Sequence, residues 1–521
     1  MSKSPVRTES VRNSSDSHTE PSRRRRFRPM TVLSVVLLFV GSVCLFAALW
    51  FLRTYGDIGF DAILFTLHSS LSGVQSDLVL SYLVGGLLPA ILLTAACALV
   101  LFPKKGRRLR RAVSVTLALV LFVSMTGYSA VAVGMDDYVH DMLFESQLFE
   151  EEYVDPSTVG ITFPEEKRNL VYILLESMEV SYLSRELGGA MEVNLIPELY
   201  ELARDNTNFS STDGVGGFHE TSGAAWTVGS MVAQTGGVPL KTPSGNQNDY
   251  GQDGTEFLPG LTSINNILHD QGYYQTLMVG SDANFGGRKP YFLQHQMDHV
   301  YDIYTARRDG IVPPDYFVWW GMEDLHLFEY ARQELTKISQ QDQPFAFAML
   351  TVDTHHIGGY TCELCGDEFE ESYENAIACS SRQVADFVHW LQQQPFYENT
   401  TVIISGDHCS MDRGYFQRNV DDAYPRMVYN CILNAPIQSD HTKNRDYAAI
   451  DLFPTTLAAL GCEIEGDRLG LGTNLYSDLP TLAERMGFGR FNDRLSQSSA
   501  YYVDHFYSDA DRDQLTAPTE E

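Results

Sequence analysis

The chain has 521 residues, more than one ordinary domain holds, so two or more regions are expected. Lys and Arg total 37 against 67 Asp and Glu, a net charge of -30 that excludes a general nucleic-acid binder, which needs a basic face for phosphate. A 44% apolar content excludes wholesale disorder, and eight cysteines are too few for a disulfide-stapled scaffold. The charge is unevenly divided. Residues 1–135 hold fifteen Lys/Arg and six Asp/Glu, a net of +9, so the rest of the chain carries -39.

Residues 1–29, rich in Ser and Arg, read as a solvated, disordered basic tail on the cytoplasmic side. Residues 30–135 read as a membrane domain with three transmembrane helices. Its apolar runs, Met30–Leu52, Val79–Phe102 and Ala112–Met135, lack Asp, Glu, Lys and Arg, and each has about the twenty residues that cross a bilayer. Arg23, Arg24, Arg25, Arg26 and Arg28 precede the first run, and Lys104, Lys105, Arg107, Arg108, Arg110 and Arg111 fill the second loop. Basic loops stay cytoplasmic, so the N-terminus is expected inside and everything after Met135 outside the cytoplasmic membrane. A cleaved signal peptide fits less well, because its apolar run is shorter and two more runs follow here. Gly59–Val74 suits either an interfacial amphipathic helix or a plain loop.

Residues 136–160 are acidic and polar, which predicts a juxtamembrane connector. Residues 161–507 then alternate apolar runs with helical patterns. Strands are predicted at Asn169–Leu175, Tyr273–Val279, Phe345–Val352 and Thr400–Ile404, and helices at Leu195–Arg204, Glu323–Ser339 and Asn375–Gln393. That alternation implies an α/β domain with a mostly parallel sheet between helices, whose chemistry gathers beyond the strands' carboxyl ends. Residues 508–521 read as an acidic tail.

Three of these strands run into metal-type ligands: Glu176, then Asp353, His355 and His356, then Asp407 and His408. Singly, such residues are commonly caps or loop pairs. At three strand exits of one sheet they predict a mixed O/N site for a divalent cation. A nucleophile is expected in Gly214–Leu240, where a Gly-rich loop opens a helix. Thr221 and Ser222 are placed at that opening and Thr227 more than a turn inside, and an N-cap without chemistry competes with either.

The motifs LLESME, TSGAAWTVGSMVAQTGGVPL, LTVDTHH, IISGDHCSMD, IDLFPTTLAALG and RLGLGTNLYS, behind membrane helices, resemble the lipoteichoic acid synthase and phosphoglycerol transferase family of the alkaline-phosphatase/sulfatase superfamily. They look closer to the phosphoglycerol transferases of periplasmic glucans. The resemblance implies a sulfatase-like catalytic domain holding one divalent cation, Mn²⁺ or Zn²⁺, on Glu176, Asp407, His408 and a threonine hydroxylate. That threonine would take phosphoglycerol from phosphatidylglycerol and pass it to a glycan or glycolipid. Thr221 is the expected nucleophile, with Thr227 the rival. His355 matches the family's active-site histidine, and Arg288, with His356, is expected to touch substrate. The synthases carry a tryptophan two residues before that arginine, where this chain has Gly286. A Cys/Ser-x-Pro-Ser-Arg sulfatase motif is absent, which argues against sulfate-ester hydrolysis. Alternatives are a phosphoethanolamine transferase of the same fold and a non-catalytic envelope sensor or scaffold. Of the cysteines, Cys362 or Cys365 is expected to form a disulfide with Cys379, and Cys409 to be a packing residue.

Overall fold

The computed structural model describes residues 29–56, 60, 63–64, 76–102, 108–241 and 256–507. The two terminal tails, most of Gly59–Val74 and most of the basic loop after the second span lie outside the described residues.

Among the described residues, three helices are long and apolar enough to cross a membrane: α1 (Pro29–Tyr55), α2 (Leu78–Leu101) and α3, whose helical turns run Arg108–Ala132. With mean hydropathies of 2.8, 2.3 and 1.9 they bury little of their side-chain surface, as expected of helices whose outer faces meet lipid. α1 is the middle of the bundle. Gly41 lets it approach α3 closely: a Cβ there would stand 3.3 Å from Phe122, the small-residue contact that brings membrane helices together. The third span ends earlier than Met135, because Gly134 takes a left-handed φ of 71° and Met135 opens a new short helix, Met135–Leu143.

The predicted connector is instead docked onto the outer domain. Leu148 and Phe149, on a helix over Leu148–Glu152, are buried in its core, with the Phe149 ring 5.3 Å from that of Tyr502. The acidity of this stretch is used in ion pairs, Glu151 with Arg494 at 2.8 Å and Glu152 with Arg468 at 3.1 Å. Polar composition concealed two apolar anchors.

The outer domain is built on a seven-stranded sheet. Its strands are β1 (Asn169–Leu175), β2 (Gly217–Phe218), β3 (Tyr274–Val279), β4 (His299–Tyr301), β5 (Phe345–Leu350), β6 (Thr400–Gly406) and β7 (Val428–Leu433), in the order β2-β7-β6-β1-β5-β3-β4. The five strands from β6 to β4 are mutually parallel, whereas β7 is antiparallel to both β6 and β2. Period-2 alternation divides β1 between two cores: Leu170, Tyr172 and Leu174 pack on one face, Val171, Ile173 and Leu175 on the other. A strand buried on both faces reads as a continuous apolar run, which is why β1, β5 and β6 were visible in sequence. β7 was missed because Asn430 stands in the middle of its run, VYNCIL.

One buried ion pair ties the sheet to the loop beyond β6. The Glu179 carboxylate is fully buried and accepts hydrogen bonds from the Ser410 amide at 2.9 Å and Arg426 Nε at 2.8 Å, with Ser181 and the second Arg426 nitrogen also bound to it. Arg426→Met strands that carboxylate, and a buried charge without its partner costs about 3–5 kcal/mol. Thermal unfolding of the full chain in detergent is expected to show a loss of that order, and the double variant with Glu179→Leu is expected to recover part of it.

Candidate metal centre

The register of the central strands places two of the ligands. Leu175 on β1 pairs with Gly406 on β6, so the next residues, Glu176 and Asp407, leave the sheet side by side. Gly406 is required at this exit, because a Cβ would lie 2.1 Å from the Met178 carbonyl. Ser177 then turns the chain with a left-handed φ of 53°, a conformation that costs a non-glycine residue about 1 kcal/mol. The turn gives the site two hydrogen bonds: Ser177 N–H donates to Asp407 Oδ1 at 2.8 Å and its hydroxyl to Glu176 Oε1 at 2.7 Å. Sequence reasoning passed over Ser177; its signal was a polar residue directly behind a buried carboxylate.

Ligand atoms of Glu176, Asp407 and His408, all buried, lie within 4.8 Å of one another. His408 Nε2 is 3.5 Å from Glu176 Oε1 and 3.4 Å from Asp407 Oδ2. Its other nitrogen, Nδ1, is 2.8 Å from the Cys409 carbonyl, so donation there leaves the Nε2 lone pair facing the carboxylates. Asp407 Oδ2 is buried without a hydrogen-bond partner while Oδ1 has two donors. An orphaned carboxylate oxygen beside an imidazole nitrogen and a second carboxylate is a donor set that fits a divalent cation of the Zn²⁺ or Mn²⁺ type, which would displace any proton on that nitrogen.

The electrostatics describe the same strain. Burial pushes the Asp407 carboxyl up to about 8, and the adjacent Glu176 charge adds to this. For Glu176 burial acts in the same direction, but the His355 and His408 charges outweigh it and hold the group below the usual range. The shared field thus drives the two carboxyls apart, Glu176 downward and Asp407 upward. Burial opposes the charged form of His408, yet Asp407 and Glu176 raise it to about 9.

The helix that faces this cluster does not begin where the sequence suggested. TSGAAW forms a turn: Ala224 N–H donates to the Thr221 carbonyl at 3.0 Å, and Gly223 has a φ of 75°. Trp226 is extended at the N-cap, and α4 runs Thr227–Gly236. Thr227 is therefore the first helical residue rather than one more than a turn inside. Its Oγ1 stands 3.4 Å from both Glu176 Oε2 and His408 Nε2. Thr221 lies in the turn with its hydroxyl buried and unpartnered, and no contact with the ligand cluster is found for it among the described residues. Gln234 fixes α4 over the sheet, accepting from Tyr172 at 2.7 Å and donating to the Gly406 carbonyl at 3.1 Å. The threonine is held by the same strands that carry the ligands.

Beyond β5, His355 and His356 stack with centroids 4.4 Å apart, and burial lowers both imidazoles, His356 well below the ordinary value. His355 Nδ1 is 2.6 Å from the His356 carbonyl and its ring packs 4.6 Å from Trp320. His356 meets Tyr55, the last residue of α1, at 5.2 Å, so the first membrane helix ends against the site. Asp353 does not join the ligand cluster; it lies beside Asp324, and burial raises its carboxyl well above the usual value. Arg288 is buried and donates to its own loop, at Asp282 O (2.7 Å), Ser281 Oγ and Phe285 O (3.0 Å each). Burial lowers it to about 10 against the pull of Glu176 and Asp407, so it is a cation at neutral pH. Glu220, overlooked although it directly precedes the TSG turn, accepts from the Cys409 amide at 2.7 Å. It borders a cleft of about 490 Å³ that is also lined by Tyr55, Ser410, Arg413 and Arg426.

Comparison with known proteins bears on these groups. A family model described as Sulfatase matches residues 168–462. A phosphoglycerol transferase I of Xanthomonas campestris pv. campestris (strain B100) is 33% identical over 256 residues, which cover 47% of this chain and 34% of the relative. A phosphoglycerol transferase I of Escherichia coli O127:H6 (strain E2348/69 / EPEC) is 28% identical over 390 residues, covering 73% of this chain and 48% of the relative. The chain spans between about a third and a half of the length of these relatives. Among solved structures, the integral membrane lipooligosaccharide phosphoethanolamine transferase A from Neisseria meningitidis is 13% identical, with a TM-score of 0.49, covering 83% of this chain and 84% of its own. The lipoteichoic acid synthase from Listeria monocytogenes is 20% identical, with a TM-score of 0.46, covering 61% and 79%.

Proposed function

The chain belongs to the sulfatase family, and from that premise we propose that it is a membrane-anchored phosphoglycerol transferase. It moves glycerol phosphate from phosphatidylglycerol to a hydroxyl of an envelope glycan or glycolipid, on the outer face of the cytoplasmic membrane. The observation that carries the reading is the Thr227 hydroxyl, at a helix N-terminus and 3.4 Å from both Glu176 and His408. The curated relatives named phosphoglycerol transferase I support the choice of group, and the absent Cys/Ser-x-Pro-Ser-Arg motif weighs against sulfate esters.

Glu176, Asp407, His408 and the Thr227 oxygen would hold one Mn²⁺ or Zn²⁺. A divalent cation bound there supplies Lewis acidity, lowering the pKa of a hydroxyl and neutralising phosphate charge. Thr227 Oγ1 forms the new bond to phosphorus while the bond from phosphorus to the diacylglycerol oxygen breaks. His355, neutral and buried beside the cluster, is the group that relays the proton lost by the Thr227 hydroxyl to that leaving oxygen. In the second half-reaction it takes the proton of the acceptor hydroxyl and returns it to the Thr227 oxygen as the phosphorus–Thr227 bond breaks. The α4 N-terminus and the Arg288 cation favour the phosphate's charge. The end of α1 at Tyr55 beside the cleft supports a site at headgroup level.

Mass spectrometry of the full chain, exposed to phosphatidylglycerol and Mn²⁺, is expected to show glycerol phosphate on the peptide containing Thr227. An adduct on Thr221 would overturn the nucleophile. A phosphoethanolamine adduct formed only with phosphatidylethanolamine would overturn the donor.

A further inference from the structure

Three cysteines outside the metal centre converge. Cys362 and Cys365 lie on the loop that leaves β5 through His355 and His356, and Cys379 lies on α5, the helix Ser372–Gln392. Cys362 Sγ is 3.7 Å from Cys365 Sγ and 3.9 Å from Cys379 Sγ, and the three sulfurs form a compact ligand group. All three are free thiols, where the sequence suggested a disulfide to Cys379. Whichever disulfide formed, one sulfur of the three would be left over.

The spacing suits a different chemistry. Tetrahedral zinc with Zn–S bonds of about 2.3 Å sets its ligand sulfurs about 3.8 Å apart, which is the separation found here. Cys362-Glu-Leu-Cys365 supplies two of them from one turn, closed by the Cys365 N–H donating to the Cys362 carbonyl at 3.1 Å. The helix supplies the third. Gln383, one turn after Cys379, has its amide nitrogen 3.4 Å from Cys379 Sγ and 3.9 Å from Cys362 Sγ. Its amide oxygen, after a half-turn of the group, or a solvent molecule beside half-buried Cys365, completes four ligands. Cys362 and Cys379 are buried, which shields bound metal from solvent.

We propose that Cys362, Cys365 and Cys379 bind a structural zinc ion that clamps the His355–His356 loop to α5. The ion is separate from the catalytic cation: its ligands are soft thiolates rather than carboxylates and imidazole. Its role is positioning, because none of the three sulfurs touches the ligand cluster of Glu176, Asp407 and His408.

The test uses the full chain in detergent, isolated without added reductant or chelator. p-Hydroxymercuribenzoate, which modifies thiols, is expected to release one zinc per chain to a colorimetric indicator. The Asp407→Asn variant is expected to release the same amount, which separates this site from the catalytic reading. Cys379→Ser is expected to release none. Cobalt substitution of the Asp407→Asn chain is expected to give a thiolate-to-cobalt charge-transfer band, lost in the double variant with Cys379→Ser. A Cys362–Cys379 or Cys365–Cys379 disulfide in non-reduced peptide maps of the wild-type chain, with no zinc released by the mercurial, overturns the proposal. Should Cys379→Ser fail to fold, the wild-type mercurial titration and peptide map decide alone.

Discussion

Thr227→Ala is expected to lower transfer by a factor on the order of 10³ or more, with no phospho-adduct and little change in thermal stability. The side chain reaches into the ligand cluster rather than the core, so its removal empties no packed volume. Thr227→Ser retains a hydroxyl at the same position and is expected to keep measurable transfer. Thr221 gives the contrasting result. Its hydroxyl is buried without a partner, so the isosteric Thr221→Val removes an unsatisfied polar group and is expected to be neutral or to stabilise by up to about 1 kcal/mol, with transfer kept. Steady-state transfer of a headgroup-labelled phosphatidylglycerol, measured beside thermal unfolding, separates the two threonines. Loss of transfer in Thr221→Val with full activity in Thr227→Ala would reverse the assignment.

The distinction between these threonines shows where reading the sequence stopped. Strands buried on both faces are continuous apolar runs, so the ends of β1 and β6 and the convergence of Glu176, Asp407 and His408 there were legible. The start of α4 was not. TSGAAW has the small and hydroxylic residues of a helix N-terminus, yet Gly223 in a left-handed conformation spends them on a turn, and the helix starts at Thr227 behind an extended Trp226. Trp226 is an unusual N-cap, with no side-chain oxygen to announce it. Leu148 and Phe149 were hidden in the same way, because two anchors among acidic residues do not alter the composition of a segment. Contacts between distant segments, such as Tyr55 against His356 or Cys379 against Cys362, leave no local pattern to read.

The charge division also acquires a physical role. An outer part carrying -39 repels an anionic lipid at long range. On the proposed function, capture would then rest on short-range features: the cation, Arg288, and the ending of α1 in Tyr55 at the cleft. The basic tail and loop are proposed to set topology instead, so the two charge pools would not cancel in any functional sense.

Asp407→Asn is expected to have opposite effects on transfer and on the stability of the metal-free protein. Asp407 Oδ1 accepts from the Ser177 and His408 amides at 2.8 and 2.7 Å, and an asparagine oxygen can keep both bonds. Oδ2, which has no donor and faces His408 Nε2 at 3.4 Å, becomes an amide nitrogen that cannot ligate a cation. Transfer is therefore expected to fall on the order of 10³-fold, with the catalytic cation lost from the purified chain. Without metal, however, the wild-type carboxyl is held at about 8 by burial and by Glu176, against an unfolded value near 3.8. A raised folded pKa means that its stabilising share is complete below about pH 4 and is lost as pH rises towards about 8. The amide has no such loss. Thermal unfolding after chelation is expected to show the wild type falling below Asp407→Asn as the pH is taken from 5 to 8.5, with the order reversed when Mn²⁺ is restored, because only the wild type binds it. A chelated wild type that keeps its stability relative to Asp407→Asn across that range would mean that the carboxylate is satisfied without a cation, and the metal centre would have to be abandoned.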